Sequence, residues 1–382
     1  MKRSVSIFFA AAALWAVRPL CACGAEPPDI SARAAVLISA DTGEAVYALN
    51  AAEKLPMAST TKIMTALLCI ESGDLYEKFV VDSGAIKVEG SSMGLQTGDK
   101  VTKYDLCCGM LLPSGNDAAN AAAVRIAGSL SAFAELMNER AREMGLARTY
   151  FVTPSGLEGE GHGSSPYDMA MLAREALRND TFRSICSQTE MKLSFGDPPS
   201  DRWLKNTNKL LTMCDGVYGV KTGFTDEAGR CLVSACKRNG KDLICVTLND
   251  RMDWEDHMAM YDYGFDAVRQ LEVRLPSDIS AEVAGGTVDT VRLVPENACF
   301  PVTTVAGNTN DISFTVLRRP FIYAPVKKGT EAAELRISFL GREIGTVPLY
   351  AAEDIPAAEA EKSSRKNIFA LIKEKLGRLF SR

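Results

Sequence analysis

The sequence predicts an α/β domain followed by a small all-β domain, and three observations carry this prediction. Apolar residues recur with helical spacing through most of the region from Lys103 to Arg178. Short β-type runs lie on both sides of that region, which indicates helices packed against one sheet. From Val273 to about Leu349 the chain consists of short β-type runs broken by glycine, proline and asparagine, which is typical of a separate β domain.

The bulk composition is that of a globular protein large enough for two domains. The chain has 382 residues, of which 47% are hydrophobic and 24% charged. Its formal net charge of -5 provides no overall basic field. We therefore do not expect a nucleic-acid-binding protein.

The first 25 residues have the pattern of a secretory signal peptide. A Lys-Arg pair precedes the apolar stretch Val5–Val17, which is short for a membrane span. We predict cleavage within Ala22–Ala25. A lipoprotein processed at Leu20–Cys23, "LCAC", and an uncleaved anchor are the alternatives. Each of the three places the protein outside the cytoplasm. For the whole chain we predict an exported protein of the cell envelope, at the outer face of the cytoplasmic membrane.

Cysteine and histidine usage gives no indication of a metal site. Two of the eleven cysteines lie in the signal segment, and the other nine match no disulfide framework or zinc spacing. Several lie in apolar runs, so we expect mostly free thiols. There are two histidines, His162 and His257, which is too few to favour a zinc peptidase or a Ser-His-Asp hydrolase. We expect no metal and no cofactor.

Changes in composition predict the boundaries of the domains. We assign residues 26–272 to the first domain, residues 273–350 to the β domain and residues 351–365 to a polar linker. Residues 366–382 place apolar side chains on one helical face and basic side chains around the other. Such an amphipathic helix is predicted to bind a membrane surface, and packing on the protein or on a partner is the alternative.

The first domain begins with a predicted hairpin. Its strands are Ala35–Ser39 and Ala45–Ala48, joined by a turn around Asp41-Thr42-Gly43. A helix is predicted to begin near Ser59. Strands return further along the chain at "GVYGVKTG", "CLVSACKR" and "DLICVTLN".

Ser59 and Lys62 lie three positions apart at the start of this helix. Residues at that spacing share a helical face, so Lys62 is expected to reach the Ser59 hydroxyl. An amine acts as a base only if burial or a neighbouring cation lowers its pKa. The helix N-terminus would supply N–H groups and a positive dipole for an oxyanion. Taken alone, the spacing is common in proteins and favours Ser59 as a plain helix N-cap.

Two further motifs favour the catalytic interpretation. Ser114-Gly115-Asn116 precedes a helical run, and Lys221-Thr222-Gly223 is predicted at the end of a strand. S-x-x-K, S-x-N and K-T-G in this order form the signature of penicillin-binding proteins and class A β-lactamases. Each motif singly has another interpretation: a helix cap, a surface lysine or a turn.

The chemistry of these residues fits one pocket. Lys221 would lower the pKa of Lys62 and attract an anionic substrate. Ser114 could relay a proton from Lys62 to a leaving amine, and Asn116 could hold a peptide by its amide. Thr222 could bind a terminal carboxylate. The missing side chain of the adjacent glycine, Gly223, would let substrate backbone lie along the strand edge.

With these motifs the chain resembles the low-molecular-mass penicillin-binding proteins that are D-alanyl-D-alanine carboxypeptidases, serine peptidase family S11. The resemblance covers nearly the whole chain, including "TPSGLEGEGH", "NTNKLL", the β domain and the amphipathic tail. It implies a β-lactamase/transpeptidase-like domain, with an antiparallel sheet, helices and a helical subdomain, before the small all-β domain.

The resemblance also implies a reaction on peptidoglycan stem peptides. Ser59 would attack the bond between the last two D-alanines, release the terminal one and be freed by water. β-Lactams would acylate the same serine. The oxyanion would lie between the backbone N–H groups of Ser59 and Phe224; some relatives carry histidine at the latter position, so only its backbone role is implied. Arg251 is a candidate for carboxylate binding, and a solvated loop arginine is the alternative.

Two other functions remain as alternatives. A class A β-lactamase needs a loop carboxylate to activate water, and the nearest similar segment, Glu135 to Asn138, is predicted to lie in an amphipathic helix. A non-catalytic penicillin-binding wall or drug sensor would keep the fold without the turnover. The complete set of motif residues favours the enzyme.

Overall fold

The computed structural model describes residues 26–305 and 311–358. The predicted signal peptide and amphipathic tail lie outside these residues. The described chain divides into two compact units. The first contains the residues up to Leu271 together with residues 302–305, and the second contains residues 272–301 and 311–358.

The first unit combines an antiparallel sheet with helices. Its strands are β1 (Ala34–Ser39), β2 (Ala45–Leu49), β3 (Phe79–Val80), β4 (Lys100–Val101), β5 (Glu190–Gly196), β6 (Pro199–Lys205), β7 (Val217–Thr225), β8 (Gly229–Arg238) and β9 (Lys241–Asp250). Its helices are α1 (Lys62–Glu71), α2 (Lys103–Leu111), α3 (Asn116–Ala127), α4 (Leu130–Glu143), α5 (Pro166–Leu177), α6 (Asp180–Cys186), α7 (Leu210–Met213) and α8 (Asp253–Ala267). A 3-10 turn, Ala58–Thr61, precedes α1.

The main sheet is buried on both faces. Its strand order is β2-β1-β9-β8-β7, with every neighbouring pair antiparallel. In β1, Val36 and Ile38 belong to the core shared with α1 to α6, whereas Ala35 and Leu37 belong to the core shared with α8. Side chains alternate along a strand, so this segment is apolar throughout because both faces are covered. The predicted α/β class is confirmed.

The predicted N-terminal hairpin is confirmed to within one residue, since β1 and β2 pair with Ala35 opposite Leu49. Helix α8 was not predicted. Its first turn carries Asp253, Glu255 and Asp256, which disguised the helical pattern although acidic residues stabilise a helix N-terminus. The hairpin formed by β5 and β6 was not predicted either.

Strand β7 carries the K-T-G motif at one edge of the main sheet. Its sheet neighbour is β8, and no described strand pairs with its outer edge. The motif lies inside the strand rather than at its end, because β7 continues to Thr225. An unpaired edge of this kind can accept an extended peptide.

The second unit is an all-β domain, as predicted. Strands at or beyond the boundary are β10 (Arg269–Arg274), β11 (Ile279–Ala284), β12 (Thr290–Pro295), β13 (Cys299–Thr304), β14 (Ile312–Arg318), β15 (Ile322–Tyr323), β16 (Glu331–Phe339) and β17 (Arg342–Ala351). Six of them form a sheet in the order β14-β16-β17-β12-β11-β15. Leu293, Leu335, Ile337 and Leu349 are fully buried in its core.

The predicted linker begins too early. Ile355 forms a β-bridge with Val326 and is buried in the core of the second unit. Ala357 forms a second bridge, with Gly286. The polar and alanine-rich composition of this stretch concealed its one large apolar side chain, Ile355, and the described part of residues 351–365 belongs to the β domain.

The described cysteines support the prediction of free thiols. All nine are unpaired, and eight of them are buried, with Cys299 exposed. Across residues 26–305 and 311–358, no helix combines the length and the apolar character needed to cross a membrane.

Candidate active site

Ser59 lies in the 3-10 turn that leads into α1. Its Oγ is 2.8 Å from Lys62 Nζ, and the turn has no side-chain cap. The interpretation of Ser59 as a simple N-cap is therefore wrong. The preceding residue, Ala58, has a φ of +45°, which costs energy in a residue with a Cβ. The chain enters Ser59 through a strained residue, and strain of this kind concentrates at functional sites.

Gly156 supports the strained residue from the opposite loop. A Cβ at Gly156 would lie 2.0 Å from the carbonyl oxygen of Ala58 and 3.0 Å from the backbone nitrogen of Ser59. Its own φ is +86°. Only glycine fits this contact, so residues 154–156 and the nucleophile turn are packed backbone to backbone.

We expect Gly156→Ala to displace Ser59 and to slow acylation by penicillin at least about tenfold, since small misplacements of reacting groups are costly. The left-handed backbone alone costs about 1–2 kcal/mol. Gly145→Ala is the matched control, because Gly145 has a φ of +72° and a Cβ added there would meet no atom within 4 Å. Measuring the rate of acylation by penicillin and the thermal unfolding of Gly156→Ala and Gly145→Ala checks this prediction. Equal acylation rates in the two variants would contradict it.

Lys62 is held by three oxygen atoms. Its Nζ lies 2.8 Å from Ser59 Oγ, 2.7 Å from Asn116 Oδ1 and 2.5 Å from the carbonyl oxygen of Ser155. The last two oxygens have no hydrogen and can only accept. A neutral amine therefore donates its two hydrogens to them, and its lone pair is left facing the Ser59 hydroxyl.

The environment of Lys62 favours this neutral form. Its side chain is fully buried, and burial, followed by the repulsion of Lys221, holds the pKa of the amine well below its ordinary value. Asp117 acts in the opposite direction. The predicted influence of Lys221 on Lys62 is confirmed, although burial is the larger cause.

Lys221 is buried beside Thr222. Its Nζ donates to the carbonyl oxygen of Thr222 at 2.8 Å, and burial lowers the pKa of the amine to about 7. Near neutral pH Lys221 is therefore present in both protonation states. A bound carboxylate would favour the protonated one.

Ser114 lies in a short loop between α2 and α3, and residues on both sides of Ser114 contact other residues of the site. The carbonyl oxygen of Leu112 accepts a hydrogen bond from Thr207 N at 3.1 Å, and Asn116 contacts Lys62. Ser114 is buried and has a φ of +65°. It does not cap α3, whose N-cap is Gly115 without a side-chain bond.

Asn116 lies where its side chain positions the lysine. Its Oδ1 accepts from Lys62, while its Nδ2 donates to the carbonyl oxygen of Glu89 at 2.7 Å. The sequence assigned this amide to holding a substrate peptide. In the structure it orients Lys62, and its second N–H is the group left for a substrate.

Gly223 and Phe224 continue β7 past the nucleophile. A Cβ at Gly223 would lie 3.1 Å from both Ser59 N and Ala58 Cβ, so the missing side chain makes room for the nucleophile turn as well as for a substrate. Phe224 is 64% exposed. Arg251 is exposed in the turn after β9, two strands away from β7.

The two histidines have structural roles. His162 Nδ1 accepts from Val152 N at 2.9 Å, so Nε2 carries the hydrogen and donates to Thr61 at 2.9 Å. His257 contacts Ser234 at 2.6 Å, but both are fully buried. Burial lowers the pKa of His257 to about 3, and no substrate could reach this pair.

Sequence reasoning missed three site residues. The carbonyl oxygen of Ser155 binds Lys62, Gly156 packs on the nucleophile turn, and Thr207 lies 2.6 Å from Thr222, hydroxyl to hydroxyl. They belong to "TPSGLEGEGH" and "NTNKLL", two segments whose similarity to the family gives them no individual role.

Two family models match the chain. The model of Peptidase_S11, described as D-alanyl-D-alanine carboxypeptidase, matches residues 22–252. A second model, the C-terminal domain of penicillin-binding protein 5, matches residues 278–357.

Curated relatives and solved structures agree with these matches. D-alanyl-D-alanine carboxypeptidase DacF of Bacillus subtilis is 34% identical over 86% of this chain and 86% of its own length. DacC of Escherichia coli is 32% identical over 86% of this chain and 86% of its own length. The crystal structure of penicillin-binding protein 5 from Haemophilus influenzae superposes with a TM-score of 0.63 at 25% identity, covering 87% of this chain and 100% of that one.

Proposed function

Because the chain belongs to the D-alanyl-D-alanine carboxypeptidase family of serine peptidases, S11, we propose that it removes the terminal D-alanine from peptidoglycan stem peptides through an acyl-enzyme on Ser59. The observation that carries this proposal is the geometry of Lys62. Two fixed acceptors orient the amine, burial lowers its pKa and so favours the neutral form, and in that form its lone pair faces the serine oxygen at 2.8 Å.

Acylation begins with proton transfer from Ser59 to Lys62 as Oγ attacks the carbonyl carbon of the penultimate D-alanine. The oxyanion is stabilised by the backbone N–H groups of Ser59 and Phe224. The proton passes from Lys62 through the Ser114 hydroxyl to the amine of the leaving D-alanine. The C–N bond breaks, and the acyl group remains on Ser59.

Deacylation uses the same base. Lys62, again neutral, takes a proton from a water molecule that attacks the ester carbonyl. The ester bond breaks, and the proton returns to Ser59. One buried amine therefore serves both halves of the reaction.

The terminal carboxylate identifies the substrate end. Lys221 supplies a cation and Thr222 a hydroxyl at the open edge of β7. Arg251 is a further candidate for this carboxylate. β-Lactams carry a carboxylate next to a reactive amide, so they would acylate Ser59 by the same route and act as inhibitors.

We also propose that the protein is exported and acts at the outer face of the cytoplasmic membrane, bound there by residues 366–382. The support is the sequence pattern of the first 25 residues and of the amphipathic tail. Both segments lie outside the described part of the chain.

Mass spectrometry after penicillin treatment, with peptide mapping, tests the acyl-enzyme, and D-alanine release from diacetyl-Lys-D-Ala-D-Ala tests turnover. We expect one adduct on Ser59 and D-alanine release. An adduct without release would instead identify a drug sensor. Rapid turnover of a chromogenic cephalosporin would identify a β-lactamase.

The pH dependence of kcat/KM should be bell-shaped. Activity should rise as Lys62 loses its proton, and fall as pH increases through about 7, because Lys221 then loses the charge that binds the carboxylate. In kcat the falling limb should move to higher pH, since bound substrate keeps Lys221 protonated. Lys221→Arg should remove the falling limb, because a guanidinium stays charged. A falling limb that persists in that variant would contradict this assignment.

A further inference from the structure

We propose that Thr207 is a positioning residue that directs the hydroxyl hydrogen of Thr222 toward the substrate carboxylate. The inference rests on the proposed function, because the carboxylate is that of the terminal D-alanine. Its basis is the 2.6 Å contact between Thr207 Oγ1 and Thr222 Oγ1.

Thr207 connects the two motifs that surround the site. Its backbone N–H donates to the carbonyl oxygen of Leu112 at 3.1 Å, two residues before Ser114. Its hydroxyl contacts the K-T-G strand at Thr222. The backbone of Thr207 is thus fixed to the segment that carries the S-x-N motif, while its side chain contacts the K-T-G residue that is proposed to bind the carboxylate.

The neighbours of Thr207 keep it in place. The backbone N–H of Asn206 donates to the carbonyl oxygen of Thr189 at 2.8 Å, and the side-chain Nδ2 of Asn206 donates to the carbonyl oxygen of Gln188 at 2.9 Å. Asn208 N donates to Asn206 Oδ1 at 2.9 Å, and Asn208 Oδ1 accepts from Leu210 N at 3.1 Å. Both asparagines therefore bond to backbone groups, and the threonine between them contacts Thr222.

The count of hydrogens gives the direction of the contact. A hydroxyl has one hydrogen to donate and can accept two bonds. A carboxylate has none, so Thr222 must donate to it and can only accept from Thr207. Lys221 Nζ approaches the same Thr222 oxygen at 3.5 Å, and with two donors at this oxygen the single hydrogen of Thr222 is left for the carboxylate. Thr207 could also donate to the Leu112 carbonyl, but at 3.4 Å that is the longer contact.

Loss of the Thr207 hydroxyl should affect substrate binding and acylation, the part of the reaction in which the carboxylate is present, and should not affect deacylation. The carboxylate leaves with D-alanine when Ser59 is acylated, so deacylation occurs without it. An interaction of similar strength in the bound substrate and the transition state changes KM and leaves kcat nearly constant.

The test compares Thr207→Val with Thr207→Ser on diacetyl-Lys-D-Ala-D-Ala. We expect the valine variant to raise KM about tenfold, the effect of one hydrogen bond to a charged group, with kcat within about twofold of the wild type. The serine variant should restore KM. Thr212→Val is the matched control, because its exposed hydroxyl donates to the Lys209 carbonyl oxygen in α7, outside the site.

The second part of the test uses another substrate, the S-methyl thioester of diacetyl-Lys-D-Ala. Its leaving group has no carboxylate. The wild type and Thr207→Val should cleave it at similar rates. An unchanged KM in the valine variant, no rescue by serine, or an equal loss on the thioester would each overturn the inference. A wild-type protein that releases no D-alanine would instead count against the proposed function itself.

Discussion

Ser59→Ala is expected to abolish covalent labelling by penicillin and to reduce D-alanine release on the order of a million-fold, as removal of a catalytic serine does in other serine peptidases. No other hydroxyl is expected to replace it. The nucleophile needs both the lone pair of Lys62 at 2.8 Å and the backbone geometry set by Ala58 and Gly156. Ser114, the other motif serine, lacks this immediate contact with the base.

Intact-mass measurement after penicillin treatment checks the Ser59 prediction. The wild type should gain the mass of one inhibitor, and the variant should gain none. Ser72→Ala, at the opposite end of α1, is the matched control, because its hydroxyl contacts Cys69 and Lys103 outside the site. An adduct on the Ser59 variant, mapped to another residue, would reject the assignment of the nucleophile.

Lys62→Met is expected to slow acylation by roughly 10²- to 10⁴-fold, the usual contribution of a general base. Methionine has a similar length but no lone pair for the Ser59 proton. The variant should remain folded, since two effects oppose each other. Removing the buried amine relieves its desolvation, while Asn116 Oδ1 and the Ser155 carbonyl lose a donor, at about 1–3 kcal/mol each.

Stopped-flow acylation together with thermal unfolding checks the Lys62 prediction. Lys103→Met is the control for loss of a buried lysine, because Lys103 binds Ser72 at the far end of α1. The control should acylate at the wild-type rate. Near wild-type acylation by Lys62→Met would show that another group is the base.

The reactive residues could be predicted because each occupies a local pattern. Ser59 and Lys62 share one helical turn, and Lys221 begins the K-T-G motif. Their common pocket depended on matching three motifs, and the structure brings those motifs together. The larger role of burial in the pKa of Lys62 could not be read from the sequence, because burial depends on what packs around a side chain.

The supporting groups could not be predicted, for three different reasons. The acceptor at Ser155 is a backbone carbonyl, which every residue has, so its identity gives no signal. The contact of Thr207 with Thr222 joins segments whose distance depends on the fold. Ile355 is a single large apolar residue among alanines and polar residues, and one residue shows no periodicity.

The burial of Lys62 has a consequence for drug resistance. A serine activated by a lysine reacts only while that lysine stays shielded from bulk solvent, since full hydration would return the pKa of the lysine to its ordinary value and leave it protonated. Substitutions that loosen the walls to keep an antibiotic out would also admit water. Escape by widening this pocket would therefore cost the enzyme its own turnover.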